Sequence, residues 1–117
     1  MSENIRVKTM KQYNQELDNI TATAIFNAAC NEIDAMSEYN YKRLRSCSAY
    51  VFETENFYIL KSYNIFIAAI DKRSHFIVDV LRMVYGYTST SAQHIAKFIH
   101  DYTPYPWTSN RYTYREI

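Results

Sequence analysis

The sequence predicts one small α+β domain, and three features of its 117 residues carry that reading. Length is the first, since compact domains run roughly 100 to 150 residues and a second core has no room. The second is a change of period: apolar residues recur at helical spacing before Asn40 and after Thr90, with β-branched and aromatic runs between them. The third is that polar clusters cut the middle into short runs whose connections are too short for a parallel crossover. Together they predict a four-stranded antiparallel meander sheet flanked by an N-terminal amphipathic helix and a C-terminal helix, with an aromatic C-terminal tail. At 48% hydrophobic and 16% aromatic residues, the chain has enough apolar surface to offset its ordering entropy.

Residues 1–8 are polar and expected to fray, and Thr9 to Leu17 reads as a first short helix, with Asp18 or Asn19 able to cap the next. Ala22, Ile25, Phe26, Ala29, Ile33 and Met36 then fall on one helical face, which predicts a helix of roughly 18 residues ending near Ser37 to Asn40. Four strands are expected near 43–53, 56–62, 64–71 and 75–82, separated by polar clusters at Glu53–Asn56, near Ser62 to Asn64, and at Asp71–Ser74. Ile65 to Ile70 is apolar on both faces, so the third strand is expected to be central. Both long helices are expected on one face, leaving the other to the tail or to a second copy of the chain.

Thr90-Ser91-Ala92-Gln93 has the form of a capping box, and Ile95, Phe98, Ile99 and Tyr102 continue it as a stripe, which predicts a helix over 90–102. Thr103-Pro104-Tyr105-Pro106 stops it, because proline cannot continue the helical ladder. In the remaining tail, Tyr112 and Tyr114 alternate as in an edge strand.

Composition narrows the function classes. Net charge is +1, with residues 1–40 at net −3 and residues 41–117 at net +4, so the domain is mildly bipolar. No stretch approaches the ~20 apolar residues of a membrane span, and Met1-Ser2-Glu3-Asn4 lacks a signal-peptide layout, so a cytoplasmic location is expected. Cys30 and Cys47 lack metal-pair spacing and read as reduced, apolar thiols. His75, His94 and His100 form no zinc-type pair, and a single glycine, Gly86, is too few for a phosphate-cradling loop. No catalytic, cofactor or metal residues are therefore assigned. A thiol–imidazole pairing through Cys47 or His94 stays open, because such residues meet only in the fold. The hydroxyls Thr88 to Ser91 read as caps, with anion binding the alternative.

What remains points to binding. Twelve tyrosines are the unusual count, and tyrosine offers a rigid contact with a polar tip. The tail holds Tyr105, Trp107, Arg111, Tyr112, Tyr114 and Arg115, residue types enriched at binding hot spots, and it reads equally as a strap over the sheet. Glu32, Asp34 and Glu38 make an acidic helix face that a basic protein groove would fit. Lys42, Arg43 and Arg45, beside Tyr41 and Tyr50, are the alternative, a basic-aromatic cluster for nucleic acid.

Tyr63-Asn64, Ala68-Ala69-Ile70-Asp71 and the run Tyr87-Thr88-Ser89-Thr90-Ser91-Ala92-Gln93-His94-Ile95 resemble a group of small uncharacterised domains encoded by bacteriophages and mobile elements. The resemblance covers about a third of the chain, within residues 63–95, and stops short of the aromatic tail. It implies a non-enzymatic inhibitor of a bacterial defence effector, similar to anti-CRISPR proteins, acting by steric protein–protein contact. A nucleic-acid-binding regulatory domain using the basic-aromatic strand and the tail, through Lys42, Arg43, Arg45, Arg111 and Arg115, is the alternative, and homodimerisation over an open sheet face fits either.

Overall fold

A computed structural model describes residues 19–74, 76–80, 89–103 and 113–115. Helix α1 (Asn19–Asp34) leads into strands β1 (Tyr41–Arg43), β2 (Ala49–Glu53), β3 (Phe57–Ser62), β4 (Ile65–Asp71) and β5 (Phe76–Asp79), then helix α2 (Ser89–Tyr102) and strand β6 (Thr113–Arg115). The six strands form one antiparallel meander in the order β1 to β6. The α+β class holds, with six strands where four were expected. The short helix over Thr9 to Leu17 lies outside the described residues.

Two strands replace the expected first one. Leu44 is buried and its N–H donates to the Ala49 carbonyl, while Arg45 takes a left-handed φ of 55°, so Leu44 to Ser48 forms a turn. Nothing local marks it, because a turn needing positive φ ordinarily uses Gly or Asn. Helix α1 is shorter than expected, ending at Asp34 with its last carbonyls taken by Ala35 and Met36 N–H groups.

The apolar run of β4 has a specific cause. Leu60 pairs with Ala68 but Lys61 pairs with Phe66, so a bulge leaves Ile67 with no opposite residue on β3. The alternation slips by one, and Ile67, Ala68 and Ile70 all join one core cluster. The Ile67 carbonyl is still satisfied, accepting from Val80 N at 2.9 Å.

The helices sit on opposite faces, which corrects the expectation of a shared one. Ala29 and Ile33 of α1 pack with Phe52, Phe57, Ile59 and Ala69, and Ala22 packs with Val78 and Val80. On the other face Ala92, Ile95, Phe98 and Ile99 of α2 pack with Ala49, Val51, Leu60, Ala68, Ile70 and Ile77. Strand alternation supplies apolar residues to both faces of the middle strands, and each face takes its own helix. The tail is not a strap over a face where its backbone is described: β6 pairs edge-on with β5, Ile77 opposite Tyr114.

Candidate functional site

Strand register builds the site. Arg43 lies opposite Tyr50, Tyr50 opposite Lys61, and Lys61 opposite Phe66, so four neighbouring strands place cation, ring, cation and ring in one row. The next row, Tyr41, Phe52, Ile59, Ala69 and Val78, lies on the same face. Helix α1 packs on this second row and on Phe57, and the first row lies beyond its core contacts, with Tyr50 and Phe66 only half-buried at its margin.

The rings support one another. Tyr41 stacks on Phe52 with centroids 5.0 Å apart and 18° between planes, and Tyr39, Tyr50 and Phe66 complete edge-on contacts at 5.2 to 5.9 Å. Tyr39 and Tyr41 remain 58% and 54% exposed, unusual for rings already held in place. Lys61 Nζ lies 5.4 Å from the Phe66 centroid and 5.8 Å from that of Phe52, within cation–π range. Arg43 Nε donates to the Cys47 carbonyl at 2.8 Å, which fixes its stem. Among the described residues neither Arg43 nor Lys61 has a carboxylate partner.

The three expected nucleic-acid residues have different surroundings. Arg43 belongs to the row. Lys42, one residue away, pairs with Val51 and lines a shallow groove of ≈140 Å³ with Asn40, Glu53, Tyr58 and Tyr102. Arg45 is committed to a bidentate pair with Asp101, at 2.9 and 2.6 Å. Hydrogen bonds from Arg45, and then from His100, outweigh partial desolvation and hold the Asp101 carboxyl down at about 2. Lys61 was missed, and the signal for it was the Tyr63-Asn64 turn, which fixes the hairpin register that sets Lys61 beside Phe66.

The acidic face divides likewise. Glu32 accepts from Asn56 N and Nδ2 at 3.2 and 2.7 Å, binding α1 to the β2–β3 turn. Desolvation opposes its ionisation, but hydrogen bonds from Thr54 and Asn56 prevail and lower its pKa. Asp34 is the last residue of α1 and Glu38 lies beyond it, so the expected acidic helix face does not extend to Glu38, and both side chains are exposed. Of the tail, Tyr105, Trp107, Arg111 and Tyr112 lie outside the described residues, and Tyr114 and Arg115 have their backbone in β6.

On the α2 face the β3–β4 hairpin meets the first turns of α2. Ser62 Oγ and His94 Nδ1 share a 2.7 Å hydrogen bond, Ser91 Oγ lies 3.2 Å from Ser62 Oγ, and the Tyr63 ring covers His94 at 5.6 Å. Tyr63 holds a left-handed φ of 55°, a strained state for a bulky residue. Ser62 and His94 are only 3% and 4% exposed, so the pair is buried between β3 and α2. Burial, then Lys97, pushes the His94 pKa down and keeps the ring neutral. Lys97 Nζ approaches Cys47 Sγ at 3.4 Å, and among the described residues no histidine contact to that thiol is present. Cys30 is free and half-buried, its pKa raised by burial and then by Asp34. Among the described residues no group of three His, Cys, Asp or Glu side chains is placed to hold a metal, and no helix is long and apolar enough to cross a membrane.

Fold and geometry thus define a six-stranded meander sheet between two helices, with a cation–aromatic row at the open end of one face. No protein-family model, curated protein or solved structure matches the chain.

Proposed function

We propose that this chain is a non-enzymatic binding domain whose contact surface is the open end of the α1 face, formed by Tyr39, Tyr41, Arg43, Tyr50, Lys61 and Phe66. The observation that carries the reading is the register row, in which two cations without a carboxylate partner among the described residues alternate with half-buried rings. Rings held rigid before contact lose little entropy on binding, and cations with no carboxylate partner among the described residues gain from a new anionic neighbour.

A second reading is a phage or mobile-element inhibitor that occludes a bacterial defence effector in the host cytoplasm. Its support is that Asp34, Glu38 and Tyr39, close together in the chain where α1 ends and the chain runs on to β1, are all exposed, a composition suited to a basic groove on a protein. The test is affinity capture from nuclease-treated and untreated bacterial lysate, using wild type, Tyr50→Leu/Lys61→Gln and Asp34→Asn/Glu38→Gln. Loss of the captured species in the first variant alone supports the open-end reading, and loss in the second alone moves the contact to the acidic face. Capture indifferent to both sinks the two readings together.

A further inference from the structure

We infer that the row Arg43, Tyr50, Lys61 and Phe66 is a platform for single-stranded nucleic acid, an inference that rests on the open-end binding reading above. The argument is one of charge and spacing. Three strand-to-strand steps of ~4.8 Å span about 14 Å, and along that line the surface alternates positive charge with a π-face. A single strand is the polymer that repeats the complement, a negative phosphate and a flat base at each unit, and about two or three bases fit an aromatic sheet of this width.

Other features narrow the occupant. A duplex hides its base faces, and a broad sheet face does not enter a groove as a helix or a two-stranded ribbon does. Lys61 lies over the Phe66 and Phe52 rings and has no carboxylate partner among the described residues, so its charge is held at the platform. Arg43 keeps its outer guanidinium nitrogens for a phosphate, with only Nε engaged among the described contacts. Tyr41, stacked on Phe52 and more than half exposed, extends the platform by one ring.

The experiment is fluorescence anisotropy with labelled oligo-dT and oligo-U of about 12 nucleotides, within the site sizes such surfaces cover, and with a duplex of the same length. The expected result is binding to single strands that weakens with salt, with the duplex bound more weakly. Lys61→Gln and Arg43→Gln should each reduce the log–log salt slope by about 0.7, the value of one lost phosphate contact on a single strand. Tyr50→Leu and Phe66→Leu preserve apolar bulk and remove the π-face, and each should weaken binding roughly tenfold at an unchanged salt slope. The half-buried Lys61 gives the deciding variant where a leucine variant fails to melt cooperatively.

Absence of binding at about 100 μM protein, the weak end of non-specific association, overturns the inference. So does equal affinity for duplex and strand, or indifference to both leucine variants. If oligonucleotides fail while lysate capture still depends on Tyr50 and Lys61, the nucleic-acid inference falls and the binding reading stands. If capture is also indifferent to these residues, both fall.

Discussion

Lys72 and Lys61 stand at opposite ends of the sheet, and both lie over aromatic rings. Lys72 lies 4.7 Å from the Tyr58 ring, yet it also donates to Glu53 Oε2 at 2.6 Å and to the Thr54 carbonyl at 2.9 Å. Around it the turns are closed by their own side chains. Thr54 Oγ1 accepts from Phe57 N, Asp71 Oδ1 accepts from the N–H groups of Arg73 and Ser74, and Glu32 holds Asn56. Lys61 has rings and no carboxylate among the described residues. One end commits its polar groups to the fold, while at the other the described residues give Lys61 rings and no opposite charge.

The largest effect that would sharpen the contrast lies in the sealed core. Phe98→Ala empties a fully buried site between α2 and the sheet, with an expected loss of about 3–5 kcal/mol in denaturant unfolding. Tyr41→Ala, at the open end and 54% exposed, should cost only about 0.5 kcal/mol while weakening partner capture. Similar losses from the two substitutions would mean that the open end is structural.

Next comes the buried His94. His94→Ala removes the hydrogen bond to Ser62 and should cost about 1–3 kcal/mol. The wild type carries a pH signature here. A histidine held below its ordinary 6.5 favours the native state when neutral, so stability is full above that value and falls as the solution is acidified toward the native-state pKa. Thermal melts from about pH 7.5 to about pH 5 should show this fall in wild type and much less of it in His94→Ala.

Below that window Glu32 enters with the carboxylate sign. Its lowered pKa contributes stability above the ordinary 4.5, which is lost as pH drops through the native-state value. Glu32→Gln keeps the side-chain length and removes the charge, so it should cost about 1 kcal/mol at neutral pH and flatten the acid limb of the stability curve. A flat acid limb in wild type would break the view of the closed end as held by charge-assisted bonds.

The elements specified by local rules were legible in the sequence. The helix expected over 90–102 runs from Ser89 to Tyr102, which puts Thr90 inside it rather than at its cap; its stripe Ile95, Phe98 and Ile99 is buried, and the Asp71–Ser74 cluster forms the turn its composition predicts. The features that long-range pairing decides were not. The Arg45 turn lacks a glycine, and the bulge at Ile67 is invisible because every residue near it is apolar. The opposite placement of the helices follows from apolar residues on both strand faces, which a count of helices cannot assign. At the site, Arg43 was readable beside Tyr41 and Tyr50, whereas Lys61 needed the register of two hairpins.

The smallest effect separates sequence proximity from placement in the fold. Arg43 and Arg45 are two residues apart and carry the same charge, so a model of diffuse basic attraction treats them alike. In the fold Arg45 gives both its Nε and one Nη to Asp101, so a new anion would have to displace a partner already bound in bidentate form. Arg45→Gln should therefore change oligonucleotide affinity by no more than about twofold, whereas Arg43→Gln also removes a phosphate contact and its share of the salt slope. Equal losses from the two would show that charge near the strand suffices, and the register row would then lose its claim to be the contact surface.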